Sequence, residues 1–216
     1  MWKVDYSHPM FGSLLVSGGF DRKVNLWKES GSIYDKLFEY NEHTNAVTCV
    51  AFSNASKDVL LFGSGCLDGN IALHQYRGDN FYTEKIKAHN FGVNAISFNK
   101  TNPFVFASCG NDKLIKIWTY QKETGNWVPE INNTPDDSIT TDIAFKENDV
   151  NDSFATCNED GIVYYWKKHG AQWTYRPVIE YTEAMVKVSW SDNGNVLVAV
   201  SVDGKEHIVG ESELVN

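Results

Sequence analysis

Apolar and polar residues alternate with a period of two in five short segments spread along the chain. They run from Trp2 to Tyr6, Val47 to Phe52, Val93 to Phe98, Thr141 to Phe145 and Val186 to Trp190. A period of two puts one face of an extended chain toward a core, so each segment predicts a strand. Each is followed by a short apolar or β-branched run, such as Ser13 to Ser17, Val59 to Gly63 or Val196 to Val200, which predicts a second strand. Aromatic-rich stretches from Tyr34 to Tyr40, Phe81 to Ile86, Trp127 to Ile131 and Trp173 to Tyr181 predict outer strands. No stretch carries a sustained helical period.

Between the second and third predicted strands the same unit recurs: a small residue, three loop residues, an aspartate, five residues, then an aromatic or apolar residue. It reads SGGFDRKVNLW from Ser17, SGCLDGNIALH from Ser64, SCGNDKLIKIW from Ser108 and TCNEDGIVYYW from Thr156. A worn copy, AVSVDGKEHIV, starts at Ala199. The aspartates Asp21, Asp68, Asp112, Asp160 and Asp203 follow at steps of 47, 44, 48 and 43 residues. A repeat of this period made of four strands predicts blades arranged radially. Each aspartate falls in a tight turn, where a short acidic side chain caps backbone amides. The predicted fold is all-β: one β-propeller domain of about five four-stranded blades, with approximate limits 1–41, 43–88, 89–133, 136–181 and 182–216.

Composition narrows the function. Hydrophobic residues make up 42% of the 216 and aromatics 13%, enough for a sizeable core. The formal net charge is −9 and only Arg22, Arg77 and Arg176 are arginines, so no basic stripe exists to neutralise phosphates or anionic lipid. Cys49, Cys66, Cys109 and Cys157 form no CxxC clip and are spread like small core residues, as in a reducing compartment. No signal peptide precedes the first strand, and the longest apolar stretch, Val196 to Val202, is too short to span a bilayer. There is no GxSxG elbow, phosphate loop or HExxH. Five equivalent aspartates imply an architectural role, because catalysis needs one special copy. His43 and His89 stand a whole blade apart with no Cys or His at ligand spacing. The sequence therefore predicts no catalytic, cofactor-binding or metal-binding residue, and a protein that is not an enzyme.

The repeat resembles WD-repeat blades, and that resemblance implies a hydrogen-bonded tetrad of His, Ser/Thr, Asp and Trp. His89, Ser108, Asp112 and Trp118 supply a complete set. His43, Ser64 and Asp68 supply three members, with His74 in the tryptophan place. Thr156, Asp160 and Trp166 supply three, with Asp136 where histidine would stand. Ser17, Asp21 and Trp27 match in the first unit; the last unit keeps only Asp203.

Longer runs, including WKVDYSHPMFGSLL from Trp2, DRKVNLWKE from Asp21, IKAHNFGVNAISF from Ile86 and VSWSDNGNVLVAVS from Val188, resemble the small WD-repeat subunit of the COPII outer coat, the SEC13 family. That family also serves in the Y-shaped scaffold of the nuclear pore. The resemblance implies a non-catalytic scaffold on the cytoplasmic face of ER-derived vesicles and ER membrane, and at the nuclear pore. It implies a hetero-oligomer without cofactors, nucleic acid or membrane insertion. The partner would be a long coat-rod subunit or a pore scaffold protein that donates a blade to an open propeller. The chain departs from the family in starting without a further blade-sized segment ahead of Trp2, and in ending seven residues after Val209, which stands in the tryptophan place. An incomplete ring is therefore expected, with partner edges at Trp2, Val4 and Tyr6 and at Lys205, His207 and Val209. Two other readings stay open: a generic adaptor that binds peptides on one propeller face, and a degenerate shortened copy.

Overall fold

A computed structural model describes residues 3–54, 59–77, 79–149 and 152–214. Nineteen strands form five antiparallel sheets among the described residues. The first holds β1 (Lys3–Tyr6), β2 (Leu14–Gly18), β3 (Val24–Ser30) and β4 (Ile33–Tyr40). The second holds β5 (Val47–Ser53), β6 (Leu61–Cys66), β7 (Asn70–Arg77) and β8 (Asn80–Lys87). The third holds β9 (Val93–Phe98), β10 (Val105–Gly110), β11 (Leu114–Gln121) and β12 (Asn126–Asn133). The fourth holds β13 (Thr140–Phe145), β14 (Phe154–Asn158), β15 (Ile162–His169) and β16 (Gln172–Glu180). The fifth has three strands: β17 (Met185–Trp190), β18 (Val196–Ser201) and β19 (Glu206–Gly210). We call these sheets blades 1 to 5. Among the described residues helix is confined to a 3₁₀ turn at Pro9–Phe11 and one α-helical turn, α1 (Glu211–Leu214), too short for any helical period to show in sequence.

In each blade the strands lie in chain order, and the first strand is innermost. β1, β5, β9, β13 and β17 pack one against the next around a channel lined by Lys3, Asp5, Ala95, Asp142 and Lys187. The alternation seen in sequence becomes a two-sided core, because each blade has a neighbour on both faces. Leu14, Val16, Val24 and Leu26 of blade 1 meet Val50, Phe52 and Phe62 of blade 2. Leu61, Ile71 and Leu73 on the other face of blade 2 meet Val93, Phe106 and Trp118 of blade 3. Ile115 and Ile117 meet Phe154 and Trp166, and Val163 and Tyr165 meet Val188 and Leu197. Five blades thus share four apolar interfaces among the described residues, and blade 5 does not pack on blade 1: the propeller is open.

Polar staples fix the register between blades. Thr48 Oγ1 donates to Val93 O (2.5 Å), Asn94 Nδ2 to Thr140 O (2.9 Å) and Thr141 Oγ1 to Met185 O (2.7 Å). The fourth residue of this series is Val186, which is 46% exposed and has no further blade to reach. A second series runs through backbone amides: Phe52 N donates to Asp5 (2.7 Å), Phe145 N to Ser97 (3.0 Å) and Val188 N to Asp142 (3.0 Å).

Candidate functional site

Each hairpin between the second and third strand of a blade, the two middle strands of the sheet, carries a polar cluster. In blade 3 the Trp118 indole donates to Ser108 Oγ (2.9 Å), Ser108 Oγ lies 2.8 Å from His89 Nε2, and His89 Nδ1 lies 2.7 Å from Asp112 Oδ1. Every proton then points one way, from indole to hydroxyl to imidazole to carboxylate, and no buried group is left over. Asp112 also accepts from Asn90 N (3.0 Å), closing the loop before β9 onto the turn. Burial lowers the His89 pKa while the Asp112 carboxylate opposes that shift.

The other blades depart from this arrangement in separate ways. In blade 2, Ser64 Oγ sits between two imidazoles, 2.8 Å from His43 Nε2 and 3.3 Å from His74 Nε2. His74 Nδ1 lies 2.9 Å from Thr83 Oγ1. Asp68 turns away from His43 to accept from Thr44 Oγ1 (2.5 Å) and Asn70 N (2.8 Å), which leaves His43 Nδ1 buried with no partner. Burial lowers His43 to about 4 and His74 to about 3, so both rings are neutral near pH 7.

In blade 1, Trp27 donates to Ser17 Oγ (2.9 Å) and Asp21 caps Lys23 N (3.3 Å). In blade 4, Trp166 donates to Thr156 Oγ1 (2.9 Å). Asp136 instead takes Asn158 Nδ2 (2.5 Å) and the Tyr164 hydroxyl (3.2 Å), and Asp160 is exposed. In blade 5, Asp203 accepts from Ser201 Oγ (2.5 Å) and the Tyr181 hydroxyl (3.0 Å); these bonds hold its carboxyl well below the usual range. All four cysteines are free and buried, and burial pushes the Cys49 and Cys157 thiols up to about 12, where they are unreactive.

The two end blades expose different surfaces. Trp118 and Trp166 lie on the face of their blade that meets the preceding one, and both are buried. Trp27 holds the equivalent place in blade 1 and is only half-buried. Val4, Leu15 and Trp27 form one uncovered face with Tyr6 (57% exposed). At the other end, the far face of blade 5 presents Val198, Val200 and Ile208, the last 64% exposed.

These placements revise the partner edges read from sequence. Trp2 lies outside the described residues. The edge of β1 faces the channel, as does that of every innermost strand, so Val4 and Tyr6 offer a face and not a vacant hydrogen-bonding edge. Val209 is buried against blade 4, where the tryptophan of other blades sits, and His207 packs on Tyr181 of blade 4 at 4.5 Å between ring centroids. Lys205 pairs with Asp203 at 3.2 Å. β19 is the edge strand of its sheet, and the outward residue there is Ile208, which alternation along β19 distinguishes from Val209. No helix among the described residues is long and apolar enough to cross a membrane.

A blade repeat with this hairpin cluster, set radially around a channel, defines a WD-repeat propeller. The WD domain, G-beta repeat family matches residues 34–75 and 81–119. Within that class the chain is similar over nearly its whole length to SEC13 proteins. It is 29% identical to "Protein transport protein sec13" of Emericella nidulans, over 95% of this chain and 74% of that protein. It is 29% identical to the protein of the same name from Aspergillus fumigatus, over 100% and 80%. It is 28% identical to "Protein SEC13 homolog" of Drosophila melanogaster, over 94% and 63%.

Proposed function

We propose that the chain is a non-catalytic scaffold subunit of a vesicle coat, acting in protein transport as the names of its relatives indicate. Its particular place is the COPII outer cage on ER-derived vesicles, with the nuclear pore scaffold as a second assembly. Its partner is a long coat-rod or pore-scaffold protein that supplies β-structure in trans to fill the opening between blades 5 and 1. The observation that carries this reading is the pair of uncovered apolar faces. Val4, Tyr6, Leu15 and Trp27 stand on one side, and Val198, Val200 and Ile208 on the other. In blades 2, 3 and 4 the same positions are buried by a neighbour. A partner sheet would bury both faces, and strand addition to β19 would complete the three-stranded blade. Glu206 on β19 and Lys205 beside it discourage pairing with the wrong edge.

The test is affinity isolation of the tagged chain from gently lysed cells, followed by mass spectrometry. Recovery of a long coat or pore protein in stoichiometric amount is expected, and an Ile208→Asp variant should lose it while remaining folded. A second reading, an adaptor that binds peptides on one propeller face, is favoured by exposed Phe20, Leu67 and Phe91 beside the hairpin turns. Under that reading Ile208→Asp leaves partner recovery intact and Phe91→Ala abolishes it.

A further inference from the structure

The unpaired histidine of blade 2 has one neighbour that blade 3 lacks. Where blade 3 has Gly110, blade 2 has Cys66. A Cβ on Gly110 would stand 2.7 Å from both Cγ and Nδ1 of His89, so a side chain there cannot coexist with the His–Asp bond. Cys66 occupies that space in blade 2, and the His43–Asp68 bond is absent. As a result a ring nitrogen of His43, Cys66 Sγ and an oxygen of the Asp68 carboxylate converge, all within 4.8 Å of one another.

From this juxtaposition we propose that His43, Cys66 and Asp68 bind one divalent cation of the zinc type, with a fourth position open to solvent. Imidazole, thiolate and carboxylate are the donors zinc takes, at about 2.0 to 2.3 Å from the ion. Donor atoms around one such ion lie roughly 3 to 4 Å apart, so the cluster closes by about 1 Å. Asp68 is the member free to make that adjustment, since it is partly exposed at a turn and its carboxylate has lone pairs beyond those used by Thr44 and Asn70.

Three features suit the ion. His43 Nδ1 is a buried acceptor site with no other partner, on a residue 3% exposed. Its Nε2 is held at 2.8 Å by Ser64 Oγ, the kind of supporting hydrogen bond that fixes ring orientation in metal sites. The charges also balance: one thiolate and one carboxylate neutralise a dication, which suits a half-buried pocket. Binding breaks the S–H bond of Cys66, forms a metal–sulfur bond and releases the proton to water, with no change of oxidation state. The bound ion would add to the tie that Thr44 already makes through Asp68 between the loop before β5 and the β6–β7 turn.

Cobalt(II) is the probe. The full chain, freed of metal with a chelator, is titrated with Co²⁺ and followed by absorption. One Co²⁺ per chain is expected, with a thiolate-to-cobalt charge-transfer band that Zn²⁺ displaces. C66G should fold, because glycine holds this position in blades 1 and 3, and should drop the stoichiometry from one to zero. C49A, at a buried cysteine elsewhere, should leave it at one. No charge-transfer band at saturating cobalt, or a band that survives C66G, overturns the proposal. If circular dichroism shows C66G unfolded, H43Q decides. Loss of a supporting partner alone weakens metal sites about tenfold or more, so loss of a ligand should weaken cobalt binding at least that much. Unchanged binding in H43Q overturns the site.

Discussion

Blades 2 and 3 fold the same hairpin around different polar chemistry. In blade 3 a tryptophan needs one acceptor, takes Ser108, and is opposed across the strand pair by Pro129, which has no polar group to offer. In blade 2 His74 has two ring nitrogens to satisfy, and the residue opposite it is Thr83, whose hydroxyl meets the second one. The ring of His74 is smaller than an indole, and the aromatics Phe38, Tyr40 and Phe62 close around it at 4.8 to 5.4 Å between centroids. The comparison teaches that the repeat position does not demand a residue type. It demands that every buried polar atom brought in by a substitution be matched by a change in its neighbours. His43 Nδ1 is where blade 2 fails that rule and blade 3 does not.

Acid should separate the two blades most strongly. His43 and His74 are pushed by burial from 6.5 to about 4 and about 3. In the unfolded chain both take up protons below about pH 6.5. The stability that the neutral buried rings contribute is therefore complete above pH 6.5. It is lost as pH falls toward about 4 for His43 and about 3 for His74. At about 1.4 kcal/mol per proton per pH unit, His43 alone accounts for about 3 kcal/mol across its window. Imidazole chemical shifts by NMR check this directly. A His74 ring that titrates near 6.5 in the folded protein would break the comparison.

Next in size is truncation of the large ring. Trp118→Ala removes a buried indole stacked on Phe106 and leaves Ser108 without its donor, so a loss of about 3 to 5 kcal/mol is expected in urea unfolding. Trp27→Ala in blade 1 should cost well under half of that, because its ring is half-buried on the uncovered face. Equal losses would mean that the blade 1 face is covered in solution. Smaller again is Gly110→Cys, which gives blade 3 the wedge that blade 2 carries. The added side chain displaces His89 from Asp112, and about 1 to 3 kcal/mol should be lost.

Much of this was legible in residue order. The steps between Asp21, Asp68, Asp112, Asp160 and Asp203 located five hairpins, and alternation in segments such as Val93 to Phe98 located the innermost strands. The openness of the ring was expected from the worn last unit, whose sheet has three strands. What sequence spacing does not carry is which neighbours a side chain meets across a turn. Cys66 and Asp68 are 23 and 25 residues from His43, so no ligand spacing announces them; the shared hairpin position of Cys66 and Gly110 was the available signal. Val209 looked like an edge residue because it is near the end of the repeat, yet the tryptophan place always faces the preceding blade. α1 was invisible because a single turn has no period, although Arg176 donating to Glu213 O (2.7 Å) and buried Leu214 anchor it to blade 4.

The finest test of the comparison is Thr83→Val. Valine keeps the shape and strand preference of threonine while deleting the hydroxyl that meets His74 Nδ1. If His74 stands in for tryptophan only because Thr83 completes its bonding, the variant leaves a buried ring nitrogen unmatched and costs about 1 kcal/mol at pH 7. The loss should be visible as a shift in urea midpoint without change in slope. Replacing Pro129 of blade 3 by valine deletes no hydrogen bond to Trp118, and should leave the midpoint within about 0.5 kcal/mol of the parent. The informative result is the difference between the two. A Thr83→Val variant as stable as the parent would mean that water or a rotated ring satisfies His74, and that the matched pair in blade 2 is not needed to hold a histidine in the tryptophan place.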